Sequence, residues 1–314
     1  MNINKKLLEK IKQYKIITIF GHTSPDGDCY GSQTGLMTFL KENFPSKKVY
    51  ILGSGFSKAI PFFDKMDKVD DETIKKSLAI VVDVSDLERI EDKRVLMAKE
   101  IIKFDHHLNS DIPSFASIQT SKTSACSCCQ MIGEFILENN YKISKAVGER
   151  LFMGIVTDSG RFQYLSSSNG MFYVLDEIMK ASIDFQKIFD FLYESDEISV
   201  RAKGYIMSNF KTTSKGVAYI VLDKKTLNDI KVDYNYASSM VNCLSGMKGY
   251  PVWASFCESE TGLVRVELRS KIYNVQEIAI LFGGGGHQKA SGCRLDNIED
   301  YKKVIDKLDE MIRE

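Results

Sequence analysis

A chain of 314 residues exceeds what one hydrophobic core usually serves, so two domains are expected. Its 42 basic residues balance its 42 acidic residues, which argues against a protein that grips long duplex nucleic acid through its phosphates. No apolar run approaches the roughly 20 residues of a membrane helix, and the charged N-terminal segment lacks the apolar core of a signal peptide. We therefore expect a cytoplasmic protein without a membrane partner.

The seven cysteines fit a reducing compartment. Their number is odd, and Cys126, Cys128 and Cys129 lie too close together for easy mutual disulfides. A zinc site would need a second Cys or His cluster near them, and the sequence has none. The cysteines are predicted to be small, reduced core residues.

The first half of the chain alternates short apolar runs rich in β-branched residues with helical patterns. This alternation predicts an α/β fold with a parallel sheet, in which ligands collect outside the carboxyl ends of the strands. The predicted strands are 16–20, 48–52, 78–82 and 100–104, and the predicted helices are 31–43, 124–140 and 144–156.

The second half begins with helices and ends with a smaller α/β pattern. A first domain is predicted over 1–195, a helical linker over 196–215 and a second domain over 216–314. Helices are predicted at 171–180, 182–193, 197–212 and 298–312, and strands at 217–222, 252–256 and 263–269, the last two as a hairpin.

The segment GHTSPDGDCYGS follows the first predicted strand and contains His22, Asp26 and Asp28. The Pro-Asp-Gly-Asp stretch predicts a loop instead of regular strand or helix interior. Asp28 could cap the following helix. A cap explains one carboxylate but not the second carboxylate and the imidazole, so metal ligation is the better hypothesis.

Further acidic and imidazole side chains follow the later strands. Asp83 ends the third strand, where burial of a lone carboxylate is costly, although a turn residue is an alternative at that position. The fourth strand ends in Asp105, His106 and His107. The two histidines must point in different directions, so one can bind metal while the other faces substrate, and Asp105 can orient an imidazole. Asp158 ends an apolar helix.

These oxygen and nitrogen ligands suit hard or borderline ions such as Mn²⁺ or Mg²⁺. Four aspartates and two histidines are too many for one ion but suffice for two ions bridged by a carboxylate. Two ions about 4 Å apart can hold a bridging hydroxide for in-line attack at phosphorus.

The second domain contains the glycine-rich segment FGGGGHQKASGC. Four consecutive glycines let backbone N–H groups approach an anion closely, and His287 and Lys289 add donors. Arg265 and Arg269 share one face of the preceding strand by the period of two. A flexible turn with surface cations is the alternative.

Together these motifs resemble the DHH phosphoesterases, in the branch that carries the DHH-associated C-terminal domain. GHTSPDGDCYGS, VVDVSD, FDHH and GIVTDSGRF resemble the four motifs of the catalytic domain, and GGGGHQKASG resembles the signature of the C-terminal domain. The five motifs occur in family order between residues 21 and 292.

The resemblance implies a parallel-sheet catalytic domain, a linker and a smaller substrate-binding domain. It implies two divalent ions, most simply Mn²⁺, with Asp83 as the bridging ligand. One ion would take His22, Asp26 and Asp83, and the other Asp28, Asp83, His106 and Asp158. His107 would face the scissile phosphate or leaving group as a catalytic residue, with Asp105 behind it. The substrate-binding residues would be Arg269, Ser270, Gly284, Gly285, Gly286 and His287.

The size resembles the short oligoribonuclease (nanoRNase) and pAp-phosphatase members, whose substrates are short RNA oligonucleotides or small nucleotides. Relatives that cleave cyclic di-AMP or pApA are the first alternative, and an inorganic pyrophosphatase or a non-catalytic nucleotide-binding module are others. Relatives are often homodimers. In the segment SKTSACSCCQ, Gln130 stands where many relatives carry Glu, so substrate preference and the position of the next helix are left open.

Overall fold

The structure is a computed structural model that describes residues 2–55, 63–107, 116–163 and 170–312. The chain divides into two compact units, Met1–Tyr193 and Glu194–Glu314. None of the helices in these described ranges is long and apolar enough to cross a bilayer.

The first unit is built on a five-stranded parallel sheet with the order β2-β1-β3-β4-β5. Its strands are β1 (Ile16–Phe20), β2 (Lys48–Leu52), β3 (Leu78–Val82), β4 (Glu100–Asp105) and β5 (Ile118–Ser121). Its helices are α1 (Ile3–Gln13), α2 (Gly27–Asn43), α3 (Asp71–Lys75), α4 (Cys128–Glu138), α5 (Lys145–Asp158), α6 (Gly170–Lys180) and α7 (Phe185–Tyr193).

Both faces of this sheet are covered. Alternate residues of the fully buried strand β3 enter two different hydrophobic clusters, Ile80 in one and Val81 in the other. Burial on both faces explains why the central strands are continuous apolar runs. The predicted parallel α/β sheet is confirmed.

Two local predictions were wrong. Strand β5 was missed because its sequence, Ile-Gln-Thr-Ser, is mostly polar and lies at the sheet edge. Helix α2 begins at Gly27 instead of residue 31, so Asp28 lies in its first turn and Asp26 caps it. The Asp26 carboxylate accepts hydrogen bonds from the backbone N–H groups of Asp28 (3.0 Å) and Cys29 (3.1 Å).

The second unit is built on a six-stranded mixed sheet with the order β10-β11-β9-β8-β7-β6, in which only β7 and β8 are paired in parallel. Its strands are β6 (Lys211–Thr212), β7 (Val217–Leu222), β8 (Val252–Glu258), β9 (Val264–Ser270), β10 (Gly285–His287) and β11 (Ala290–Leu295). Its helices are α8 (Glu197–Asn209), α9 (Lys224–Asp229), α10 (Tyr234–Ser239), α11 (Val275–Leu281) and α12 (Tyr301–Met311).

The two faces of this second sheet are covered to different extents. One face packs along β8, β9 and β11 against α11 and α12, through residues such as Val266 and Leu308. The opposite face packs only along β7 and β8, where Trp253 contacts a cluster with Ala202 and Ile206 of α8. The helix of the expected linker thus has its apolar side in the second unit and ends at Asn209.

The glycine-rich segment was predicted as a loop, but Gly285–His287 form strand β10 against β11. Two of the glycines are required by the backbone, one by a close approach and one by a positive φ. A Cβ on Gly284 would collide with the carbonyl oxygen of Gly292, and Gly286 has a φ of 134°.

Candidate metal centre

Three neighbouring strands deliver the candidate ligands to one edge of the first sheet. His22 follows β1, Asp83 follows β3 and His106 follows β4, and these strands lie side by side. Helices α2 and α5 add Asp28 and Asp158. The helices approach closely because Gly31 faces the backbone of α5, where a Cβ would lie 2.6 Å from the Arg150 carbonyl oxygen.

Asp83 lies at the centre of the cluster. Its Oδ2 is 3.6 Å from His22 Nε2, and its Oδ1 is 3.4 Å from His106 Nε2 and 3.8 Å from His107 Nδ1. Asp83 is 3% exposed, and its buried Oδ1 accepts no hydrogen bond from any described residue. Its φ of 58° is left-handed, a conformation that aspartate tolerates better than most residues and that often marks functional sites.

Asp28 and Asp158 form a second group with His106. His106 Nε2 lies 3.1 Å from Asp158 Oδ2 and 3.8 Å from Asp28 Oδ2. Asp158 is the last residue of α5, where the partial negative charge of the helix end disfavours a lone carboxylate. A cation between these groups would offset that repulsion.

The fully buried Asp28 carboxylate is held by the start of helix α4. The backbone N–H of Cys128 donates to Oδ2 at 2.6 Å, and that of Cys129 donates to Oδ1 at 2.9 Å. These bonds fix the orientation of the carboxylate and leave its remaining lone pairs towards His106.

His22 is oriented by its own loop. Its Nδ1 lies 2.9 Å from the Thr23 carbonyl oxygen, which can only accept, so Nδ1 carries the proton and Nε2 is free to bind a cation. Asp26 Oδ1 is 3.8 Å from this Nε2. The two helix-capping bonds of Asp26 also go to Oδ1, so its other oxygen remains for a ligand.

The electrostatics of the cluster favour a divalent cation. Burial raises the pKa of Asp28, and the nearby charges of Asp83 and Asp158 raise it further. Burial also raises the pKa of Asp158. Burial would lower the pKa of His106, but the neighbouring carboxylates of Asp158 and Asp83 outweigh it and raise that pKa to about 11. Without metal, protons must neutralise the cluster.

His107 is oriented by a buried charged pair. Its Nδ1 lies 2.7 Å from Asp105 Oδ1, and the Lys103 ammonium lies 2.7 Å from Asp105 Oδ2. Burial would raise the pKa of Asp105, but hydrogen bonds from His107 and Lys103 outweigh it and lower that pKa. An ionised Asp105 keeps the Nδ1 proton of His107 and so leaves Nε2 for substrate.

The second unit has a basic cavity of its own, of about 600 Å³. Four of the six predicted substrate residues line it: Arg269, Gly284, Gly285 and Gly286. Ser270 and His287 are not among its lining residues. The buried Ser270 hydroxyl accepts hydrogen bonds from the N–H groups of Ile272 (3.2 Å) and Tyr273 (2.8 Å), so it holds the turn after β9.

Comparison with known proteins connects the two units to one family. Residues 16–155 match the DHH family, N-terminal domain, and residues 214–314 match the DHHA1 domain. The bifunctional oligoribonuclease and PAP phosphatase NrnA of Mycoplasma genitalium is 33% identical over 303 residues, covering 95% of this chain and 94% of the relative. The protein of the same description from Bacillus subtilis is 31% identical, covering 98% of both chains.

The chain belongs to the DHH family. It is therefore a hydrolase of the phosphoester-cleaving type, as the motifs predicted. A solved structure agrees over the whole length: an exopolyphosphatase-related protein from Bacteroides fragilis superposes with a TM-score of 0.88 at 25% identity, covering 99% of this chain and 98% of that one.

DHH phosphoesterases depend on metal, and the side chains of this DHH centre fit divalent ions. The ligand atoms within each of three groups lie within 4.8 Å of one another: His22, Cys29 and Asp83; Asp83, His106 and His107; and Asp28, His106 and Asp158. Asp83 joins two of the groups, and its unpaired buried oxygen is the atom for which a cation would be the natural partner.

Three residues of the candidate sites were missed from the sequence, two at the metal centre and one in the basic cavity of the second unit. Cys29 accepts a hydrogen bond from the His22 backbone N–H at 3.3 Å. Burial raises the pKa of the Cys29 thiol to about 11, so Cys29 holds the His22 backbone as a neutral thiol. Lys103 and Asp105 share a face of β4, which the period of two could have revealed. Arg294 lines the basic cavity, and only the strand register reveals its place.

Proposed function

We propose that this DHH phosphoesterase hydrolyses short oligoribonucleotides and 3′-phosphoadenosine 5′-phosphate (pAp) with two divalent metal ions. The observation that carries the proposal is the set of acid and imidazole groups around the unpaired Oδ1 of Asp83. The substrate class is supported by full-length similarity to proteins described as bifunctional oligoribonuclease and PAP phosphatase.

In this proposal Asp83 would be a ligand to both ions. One ion would be held by His22, Asp26 and Asp83, and the other by Asp28, Asp83, His106 and Asp158. The mixture of carboxylate and imidazole favours Mn²⁺ over Mg²⁺, which prefers oxygen ligands alone. When bound, the ions would activate water and neutralise charge on the phosphoryl group.

The protein's own contribution to the chemistry would come from His107. With its Nδ1 proton directed to Asp105, His107 can hold a second proton at Nε2 and donate it, or a hydrogen bond, to a phosphoryl or leaving oxygen. Lys103 keeps Asp105 ionised, so it acts through His107 as a positioning residue.

The basic cavity of the second unit would bind the rest of the nucleotide. Arg269 supplies a guanidinium, and the backbone N–H groups of 284–286 supply donors for a phosphate. The balanced net charge of the whole chain suits short substrates better than long ones.

The test is a substrate panel in Mn²⁺ with product identification: pAp, pApA, cyclic di-AMP, pyrophosphate and an RNA series from dinucleotide to pentanucleotide. Mononucleotides from the RNA series and phosphate from pAp are expected. Asp83→Asn should abolish both activities, whereas the exposed Asp176→Asn on α6 should retain them.

Other outcomes of the panel would identify the alternatives. Cleavage of cyclic di-AMP or pApA alone would replace the proposed substrate class, and cleavage of pyrophosphate alone would make the protein a pyrophosphatase. Nucleotide binding without turnover in Mn²⁺ would make it a binding module.

A further inference from the structure

Half of one face of the second sheet is uncovered in the described part of this unit. On β9, Arg265, Glu267 and Arg269 point to the face opposite Val264, Val266 and Leu268, which enter the core. On the same face of β8, Trp253 and Cys257 are covered by the cluster that contains α8 residues. The β9 and β11 side chains of that face do not belong to this cluster, and they line the basic cavity instead.

The charges on this uncovered half are unbalanced. Glu267 is shared by two arginines: Arg265 Nε lies 2.8 Å from its Oε1, and Arg269 Nη1 lies 3.2 Å from its Oε2. Arg294 is exposed on β11 and has no ion pair or hydrogen bond to any described residue. Three arginines therefore face one carboxylate.

Arg294 also stands directly opposite Arg265 in the antiparallel register of β11 and β9. Like charges at directly opposed positions destabilise a sheet. A bound anion between the two guanidinium groups would convert that repulsion into attraction, since guanidinium groups bind phosphate through paired hydrogen bonds.

The Arg265–Arg294 pair lies at the opposite end of the cavity from Arg269. Arg269 is opposite Ala290, next to β10, whereas Arg265 is four residues further along β9, about 13 Å away at 3.3 Å per residue. This exceeds the separation of the two phosphates on one nucleoside. Gly292 lies opposite Glu267 between the two ends, so no side chain from β11 obstructs the middle of the cavity.

We propose that Arg265 and Arg294 form a distal phosphate subsite that binds a backbone phosphate of oligoribonucleotides but is beyond the reach of pAp. This inference rests on the proposed function and adds a basis for discrimination by length. Glu267 neutralises the middle of the groove, so phosphates bind at its two ends, near Arg269 and near Arg265. Substrates of three or more nucleotides can occupy both ends.

The test compares Arg265→Ala, Arg294→Ala and the double variant with wild type and with Arg201→Ala, an exposed arginine of α8 outside the cavity. The readout is the ratio of kcat/KM for a pentanucleotide to kcat/KM for pAp. The double variant should lower this ratio by about tenfold or more, mainly through the KM of the pentanucleotide. Arg201→Ala should leave the ratio at the wild-type value.

A second readout does not need turnover. Binding of fluorescent oligoribonucleotides of two to five residues is measured in EDTA by anisotropy at several salt concentrations. Wild type should gain affinity between the dinucleotide and the longer oligomers. The double variant should lose that gain and show a shallower salt dependence, by about one unit of slope for each lost phosphate contact.

Three results would overturn the inference. They are an unchanged activity ratio, an equal loss for pAp and pentanucleotide, and a length dependence of binding that survives in the double variant. Arg265→Lys with Arg294→Lys, which retains charge, should show a smaller effect than the alanine pair. If wild type hydrolyses neither substrate, the proposed function fails, and the binding series alone decides the subsite.

Discussion

Lys103 and Asp105 point to the same face of β4 and form an ion pair with almost no solvent contact, at 1% and 0% exposure. A buried pair of this kind costs desolvation free energy and is weak evidence for stability by itself. In this protein the pair matters because the Asp105 carboxylate also orients His107.

Replacing Lys103 tests that relationship. Lys103→Met leaves Asp105 buried without its ammonium partner, so the free energy of unfolding should fall by about 3–5 kcal/mol, and kcat should fall with little change in KM. The double variant Lys103→Met/Asp105→Asn removes both charges and should recover much of the stability but not the kcat. Denaturant titration and steady-state kinetics measure the two effects. Equal stability of the single and double variants would contradict the pairing.

Asp83→Asn should separate stability from activity. Asparagine keeps the size of the side chain and tolerates the φ of 58°, so the backbone is not strained. Removing the negative charge relieves repulsion with Asp28 but also removes an attraction for protonated His22 and His106, so the stability of the metal-free protein should change little. The same change should reduce turnover by about a thousandfold or more and lower the number of ions bound. In thermal melts, Mn²⁺ should raise the melting temperature of wild type more than that of the variant, with EDTA as the reference condition.

The metal-free protein should lose stability as pH rises. The folded-state pKa of His106 is raised from 6.5 to about 11, and those of Asp28 and Asp158 are raised above the aspartate value. The folded state therefore holds protons that the unfolded chain releases, and their stabilisation is lost as pH rises through the folded-state pKa values. Melting temperatures in EDTA between pH 6 and 9 measure this trend. A rise with pH would contradict it.

Metal binding should show the opposite pH dependence. Ions compete with the protons on His106, so apparent affinity should increase by up to about tenfold per pH unit for each proton released. Calorimetry in two buffers of different ionisation enthalpy would count the protons. An affinity that is independent of pH would exclude His106 as a ligand.

The start of helix α4 should influence the metal centre indirectly. Ser127 caps this helix by accepting from the Gln130 N–H at 3.0 Å, and Gln130 Oε1 accepts from the Cys126 N–H at 2.9 Å. Ser127→Ala should cost about 1 kcal/mol of stability and weaken metal binding, because Asp28 is bonded to the first turn of α4. Ser144→Ala, which removes the cap of α5, is the matched control and should leave metal affinity unchanged.

Gln130, which stands where many relatives carry Glu, can be tested by mutation in the same way. Its Nε2 donates to Glu134 Oε1 at 2.9 Å, and Glu134 also pairs with Lys122. Gln130→Glu would place a second carboxylate at that distance and should lower stability at neutral pH, with recovery under acidic conditions where a carboxylate is protonated. Stability equal to wild type at neutral pH would show that the amide is replaceable.

The sequence was sufficient for the parallel sheet and four of its five strands because buried strands are continuous apolar runs. It also predicted that His22, Asp83 and His106 belong to one site, since the carboxyl ends of parallel strands lie at one edge of the sheet. It was insufficient for β5, whose polar edge sequence resembles a loop, and for β10, where glycines form a strand only because β11 is beside them. Arg294 needed the register of β11, which no local pattern encodes.

The two N–H groups that hold Asp28 belong to the main chain, and every residue type except proline supplies the same donor. These two bonds therefore do not prescribe the residue types at 128 and 129, as long as α4 starts at the same place. An unusual cysteine-rich stretch and an ordinary one would serve Asp28 equally well. The feature that must be kept here is the position at which the helix begins. A comparison of residue types alone would not reveal it.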